Sequence, residues 1–252
     1  MIKLFATLIM IVDHIGSVVL SDAFNSIELV RTANILRIIG RFSMPLFAYC
    51  VARGFYYSKK NGTIFKYLKN LIIFSVVSQP TAMLLTYFLK VKKEFYLNIG
   101  FVWFFSVIVL YSIESIKFPL TEKSFIPILP IVAIVLVTFI VKMEFGLYGV
   151  LFPVIFYFFA FKTYNPIVCF LASFVIYLMH CHIRDIVAVG EWSQFLAMFS
   201  VPLAFFLSTV DGKVKLPGRF YYWFYPVHLY ILILIRYFLV YYKILKILEI
   251  SS

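Results

Sequence analysis

Apolar side chains in this chain come in long unbroken runs, not in the alternation that a half-buried strand requires. Nine runs stand out: Ile2–Leu20, Ile35–Tyr57, Tyr67–Leu89, Ile99–Ile116, Phe125–Val141, Leu147–Phe161, Ile167–Met179, Gln194–Val210 and Tyr221–Tyr242. About 20 apolar residues in helical conformation cross the hydrocarbon core of a bilayer, so the pattern predicts membrane-spanning helices. The sixth and seventh runs are short enough to be partly re-entrant. The links between runs are mostly brief and carry Gly, Pro, Asn or Lys at their edges, where helices end. No polar stretch of domain length interrupts them, and no repeat of solenoid period is present. The expected architecture is an all-α polytopic membrane bundle of about nine transmembrane helices, with residues 1–252 forming one embedded domain. A barrel is disfavoured on the same ground as a strand, because its lipid and lumen faces alternate.

Composition sharpens this picture. Of 252 residues, 63% are hydrophobic, 20% aromatic and only 13% charged. Mean hydropathy is +0.99. In lipid every backbone amide must find its partner within the protein, which favours continuous helices. The net charge of +12 does not point to nucleic acid. Lys and Arg collect in the short links, where they face anionic headgroups and set orientation. With nine spans, twelve of them fall on the side of Lys3, Lys59, Lys60, Lys66, Lys69 and Arg219 and ten on the other, with Arg236 inside the last run. The cluster Lys59–Lys69 places its side, and the N-terminus, in the cytoplasm of a multi-pass cytoplasmic-membrane protein. Cys50, Cys169 and Cys181 are far apart and lack metal-ligand spacing. The first run lacks a small-residue cleavage site and is broken by polar residues, so it reads as a mature helix and not a signal peptide.

Those polar residues are Asp13-His14, set between Leu4–Val12 and Ile15–Leu20. An ionisable side chain at such depth is costly and marks a functional site by default. Neighbours on a helix point about 100° apart, so each of the two is expected to meet a group on another helix. Asn34, Arg37 and Arg41 form a stripe at i, i+3 and i+7 at the start of the second run. The stripe either snorkels to the interface or turns inward, where a guanidinium can pair with Asp13 or grip an anion bidentately. Pro45 bends this segment and Gly40 admits a close neighbour. Ser78-Gln79-Pro80 interrupts the third run, and Pro80 frees the Val76 carbonyl. Glu144 precedes Gly146 and Gly149, whose small size suits close packing. In the last run Tyr221, Tyr225 and His228 share one face, as an aromatic interface belt or as part of a site. His180-Cys181-His182 has poor geometry for a metal, since residues two apart lie on opposite sides of a helix, and no metal is expected.

Taken together, Met10–Gly16, Arg37–Ala48, Ser78-Gln79-Pro80, Glu144–Leu151 and Phe224–Leu229 resemble the TraX family of polytopic membrane proteins and, more distantly, the acyltransferase family 3 proteins. The resemblance covers nearly the whole chain. It departs from the family pattern at Arg53, Gln79 and Glu144, and in the residues after Asn98. It implies acetyl transfer from acetyl-CoA to a peptide N-terminus, a glycan or a small-molecule hydroxyl or amine. On that reading His14 is the general base, since an imidazole titrates near neutrality. Asp13 fixes an arginine or orients a second histidine. Arg37 and Arg41 hold the donor's phosphates, and His228 with Tyr225 donates to the developing oxyanion. Gln79, Glu144 and Asn98 fall to the acceptor. A proton-coupled transporter and a non-catalytic membrane partner of a secretion or conjugation apparatus are the competing readings.

Overall fold

The computed structural model describes residues 1–20, 27–87, 95–116, 126–183, 195–210 and 217–251, with side chains excepted at 87, 180–183, 219 and 243–251. The chain is helical throughout these segments. In order, α1 (Ile2–His14) continues into a π-turn (Ile15–Leu20), followed by α2 (Ile27–Gly40), α3 (Ser43–Lys60), α4 (Ile64–Tyr87), α5 (Ile99–Ser115) and α6 (Ile128–Ile140). Then come α7 (Gly146–Phe156), which runs into a second π-turn (Tyr157–Lys162), α8 (Pro166–Ile183), α9 (Ser200–Thr209) and α10 (Gly218–Ser251). Among the described residues, Ile2–Leu20, Ile27–Lys60, Ile64–Thr86 and Phe220–Tyr242 are long and apolar enough to cross a membrane. The remaining apolar helices are shorter, at 10–17 residues.

The second run differs from its expected form. It begins earlier, at Ile27, and breaks at Arg41-Phe42 into α2 and α3. Pro45 explains the position of the break: it has no N–H, so the carbonyl one turn earlier cannot be paired in a continuous helix.

Glycine lets α1 and α2 touch backbone to backbone. A Cβ at Gly40 would overlap Asp13, and one at Gly16 would stand 2.8 Å from the Ala33 carbonyl oxygen. Gly149 does the same for α7 against α5, where its Cβ would meet Val102 at 2.8 Å. Gly146 serves differently from the expected packing role. Nothing lies within 4 Å of its Cβ position, and its φ of +51° is what a glycine provides.

The inner ends of α5 and α7 are joined by two short extended segments. Leu97 pairs with Met143 in an isolated bridge, with Leu97 N donating to Lys142 O and Glu144 N to Leu97 O, both at 2.9 Å. Asn98 caps α5 by accepting from Gly100 N at 2.8 Å and donates through Nδ2 to Ser75 O at 2.8 Å and Gln79 Oε1 at 2.9 Å. Gln79 Nε2 donates in turn to Tyr96 O at 2.8 Å. Non-helical backbone at this depth is viable only when its amides are satisfied inside the protein, and these side chains do that. At the opposite ends of the helices, Glu114 of α5 is clamped between Lys59 of α3 and Lys162 of the second π-turn.

Candidate active site

A cavity of about 1060 Å³, counting its open mouth, runs lengthwise through the bundle. Five helices line it, α1, α3, α4, α5 and α10, together with Glu144 and Phe145 from the segment before α7. From α1 come Lys3, Thr7, Met10, Asp13 and His14; from α3, Ser43, Met44, Phe47, Cys50, Val51 and Gly54. Tyr67, Leu71 and Phe74 come from α4, Ile99 and Trp103 from α5, and Tyr221, Tyr222, Phe224 and Tyr225 from α10. Lys3 and Gly218 stand at the starts of α1 and α10 and mark the mouth, where Lys3 Nζ sits 5.6 Å from the Tyr221 ring centre. At a helical rise of about 1.5 Å per residue, His14 lies about 16 Å below Lys3 along α1. Ser43, Ile99, Glu144 and Phe145 close the inner end.

The polar centre of the cavity is a pair of imidazoles. His14 Nδ1 lies 2.7 Å from His228 Nε2, and His228 Nδ1 lies 2.9 Å from the Phe224 carbonyl oxygen. A carbonyl oxygen only accepts, so His228 Nδ1 carries a proton. In neutral His228 the Nε2 is then the acceptor, and the proton between the rings belongs to His14 Nδ1. That leaves Nε2 as the basic nitrogen of His14. Aromatic rings hold the pair in place. Phe224 stacks on His228 at 5.1 Å and 9°, while Tyr225 meets His14 edge-on at 6.0 Å and His228 at 5.7 Å. Phe74 of α4 closes over Tyr225 at 5.5 Å. His228 is 7% exposed and His14 half-buried on the cavity wall.

Two carboxylates stand on the wall. Asp13 is pressed against Gly40 of α2. Glu144 Oε2 accepts from Ile99 N at 3.1 Å, capping the positive end of α5 at the cavity floor. Among the described residues no three His, Cys, Asp or Glu side chains are grouped to hold a metal ion. The side chains of His180, Cys181 and His182 lie outside the described residues.

Of the residues singled out from the sequence, Asp13, His14, Glu144 and Tyr225 share the cavity wall, and His228 is bonded to His14 behind it. Five do not reach the wall. Arg37 and Arg41 are half-buried at the α2–α3 junction, with Arg37 Cγ lying 3.2 Å from the Cβ position of Gly16. Asn34, expected on their stripe, is exposed. Gln79 and Asn98 spend their amides on Ser75, Tyr96, Gly100 and each other, holding the extended segment before α5. His228 also differs from its expected part. Both of its ring nitrogens are engaged, so it has no donor to turn towards an oxyanion.

Sequence reasoning missed Arg236. It is 9% exposed, and its Nη1 donates to the Val18 carbonyl oxygen at 2.8 Å. The signal was present, since a lone arginine inside an apolar run is itself a marker. A family model described as TraX protein matches residues 1–236. No curated protein and no solved structure matches the chain.

Proposed function

From a chain that belongs to the TraX family, we propose an integral-membrane acyltransferase that moves an acetyl group from acetyl-CoA to the amine or hydroxyl of a peptide, glycan or small molecule. The observation that carries this reading is the His14–His228 hydrogen bond of 2.7 Å inside a deep apolar cavity. His14 Nε2 takes the proton of the attacking amine or hydroxyl as its lone pair closes on the thioester carbonyl. The new C–N or C–O bond forms, the C–S bond breaks, and His14 returns the proton to the departing sulfur. His228 keeps His14 in the Nδ1–H tautomer and accepts from the imidazolium while it lasts. The Tyr225 phenol, on the same wall, takes the oxyanion role; losing one such donor raises a barrier by about 2.7–4 kcal/mol.

The donor fits from the mouth. The path from Lys3 to His14 matches the reach of a pantetheine arm, and Met10, Phe47, Val51, Leu71 and Phe74 give that path an apolar lining. Lys3 on the cavity wall, with the positive field of the exposed Lys60, Lys66 and Lys69, attracts the donor's phosphates. This assignment replaces Arg37 and Arg41, which are off the wall. The mouth faces the cytoplasm by its positive charge.

The test is acetyl transfer, or acetyl-CoA hydrolysis, by purified wild type, His14→Ala and His228→Ala. Loss in His14→Ala is expected; unchanged turnover in both variants would end the proposal. Comparing peptides, glycans and metabolites of cells with and without the protein by mass spectrometry would identify the acceptor by its acetyl mass gain. A second reading, proton-coupled transport, is favoured by the helix ends of α5 and α7 that meet at the cavity floor, a device of membrane carriers. Substrate-dependent uptake into proteoliposomes without an acyl product would favour it.

A further inference from the structure

We propose that Arg236 is a positioning residue, holding the π-turn after His14 in the register that presents His14 to His228. The inference rests on the acyltransferase reading for its kinetic consequence, but its structural content stands on three observations. First, the turn Ile15–Leu20 begins directly after His14 and is wound as a π-helix. That winding is rare, is found mostly as single turns at functional sites, and changes the direction in which residues before and after it project. A wider turn does not hold itself against relaxation to the ordinary α-helix, so something outside it must select it. Second, Arg236 of α10 reaches across to this turn and donates from Nη1 to the Val18 carbonyl oxygen at 2.8 Å. Its side chain is 9% exposed, in the middle of an apolar helix. A guanidinium is a costly group to bury there for packing alone. Third, His228, Leu232 and Arg236 recur at four-residue steps, so they lie on one face of α10. That face grips the α1 segment twice, by His228 on His14 and by Arg236 on Val18. Two hydrogen bonds from one rigid helix set the height and the rotation of the segment between them, while Gly16 packed on α2 sets its distance from the bundle. Without the outer bond the π-turn relaxes, His14 rotates, and its Nδ1 leaves His228 Nε2.

The experiment combines spectroscopy with kinetics on the purified full chain in nanodiscs. Imidazole ¹⁵N resonances report which ring nitrogen carries the proton, and His14→Gln and His228→Gln spectra assign the two rings. The wild type is expected to show both as Nδ1–H tautomers. In Arg236→Met the His14 signal becomes a mixture of tautomers. The kcat for acetyl transfer drops about 100-fold or more while KM for acetyl-CoA holds, the pattern of a displaced general base. Arg236→Lys, which keeps one charged donor, recovers most of both signals. Should Arg236→Met not fold, Arg236→Gln and Arg236→Lys carry the comparison. A wild-type His14 spectrum with wild-type kcat in Arg236→Met overturns the inference, as does equal impairment of Met and Lys variants with both imidazole signatures intact. If the wild type transfers no acyl group and yet Arg236→Met scrambles the His14 tautomer, the clamp stands and the enzyme reading falls.

Discussion

At the scale of single residues, the cavity owes its chemistry to a carbonyl oxygen. Phe224 O removes the ambiguity of a histidine pair by forcing the proton of His228 onto Nδ1, and the polarity of the whole relay follows. On the proposed mechanism, removing His14 removes the base itself. His14→Ala is expected to lower acetyl transfer by about 100- to 10,000-fold, the usual span for losing a positioned general base. His228→Asn leaves His14 in place without its tautomer lock, so its loss is expected to be smaller, measured as kcat on the same acceptor. Asn98 behaves in the opposite sense. Its amide is 1% exposed and holds Ser75, Gln79 and Gly100 together. Asn98→Ala strands those groups and is expected to destabilise the fold by about 1–3 kcal/mol, seen in thermal unfolding in detergent, while turnover per folded molecule is kept. The two substitutions separate the groups that react from those that only hold.

At the scale of elements, the informative features are the irregular ones. A π-turn follows the candidate base, a broken helix follows Gly40, and two short extended segments meet between α5 and α7. Gly146 shows what the last of these requires. It follows Phe145, itself at φ 61°, and together they reverse the chain into α7 in left-handed conformation. Gly146→Ala meets no neighbour, so its effect is purely conformational: a loss of roughly 1–2 kcal/mol in unfolding free energy is expected. A variant as stable as the wild type would show that the turn is not left-handed. These features also mark what the sequence disclosed. The apolar runs were legible because lipid imposes length, and Asp13, His14 and His228 because charge and imidazole are out of place in such runs. The break before Pro45 was foreseen in kind, since Pro lacks an amide. The π-turn was not, because it has no residue signature and arises from what α10 does to it. Nor could residue type tell that Gln79 and Asn98 bond to backbone while Glu144 faces the cavity; an amide side chain is equally suited to either, and only the path of residues 95–98 decides. Arg37 and Arg41 misled for a related reason, since a shared face on a helix does not say which neighbour that face meets.

At the scale of the whole molecule, the cavity reaches from His14 towards Lys3 at the start of α1. On the acetyltransferase proposal that path ties chemistry to orientation, because an anionic donor would enter where the positive links are, and the positive-inside rule assigns those to the cytoplasm. Cys50 makes the link measurable. Both described cysteines are buried, but Cys50 lines the cavity on α3 between Gly54 and Ser43, whereas Cys169 is not part of the wall. In a Cys169→Ser, Cys181→Ser background, a small membrane-impermeant cationic thiol reagent is expected to modify Cys50 in inside-out vesicles and not in intact spheroplasts. Cationic reagent and anionic donor compete for one cavity, so acetyl-CoA is expected to slow the modification, while a CoA-free acetyl ester of equal concentration does not. Protection by acetyl-CoA with labelling only from the outer face would invert the orientation and keep the donor site. Labelling from the cytoplasmic face without protection would keep the orientation and remove acetyl-CoA from the cavity, leaving the imidazole pair to serve a different cargo.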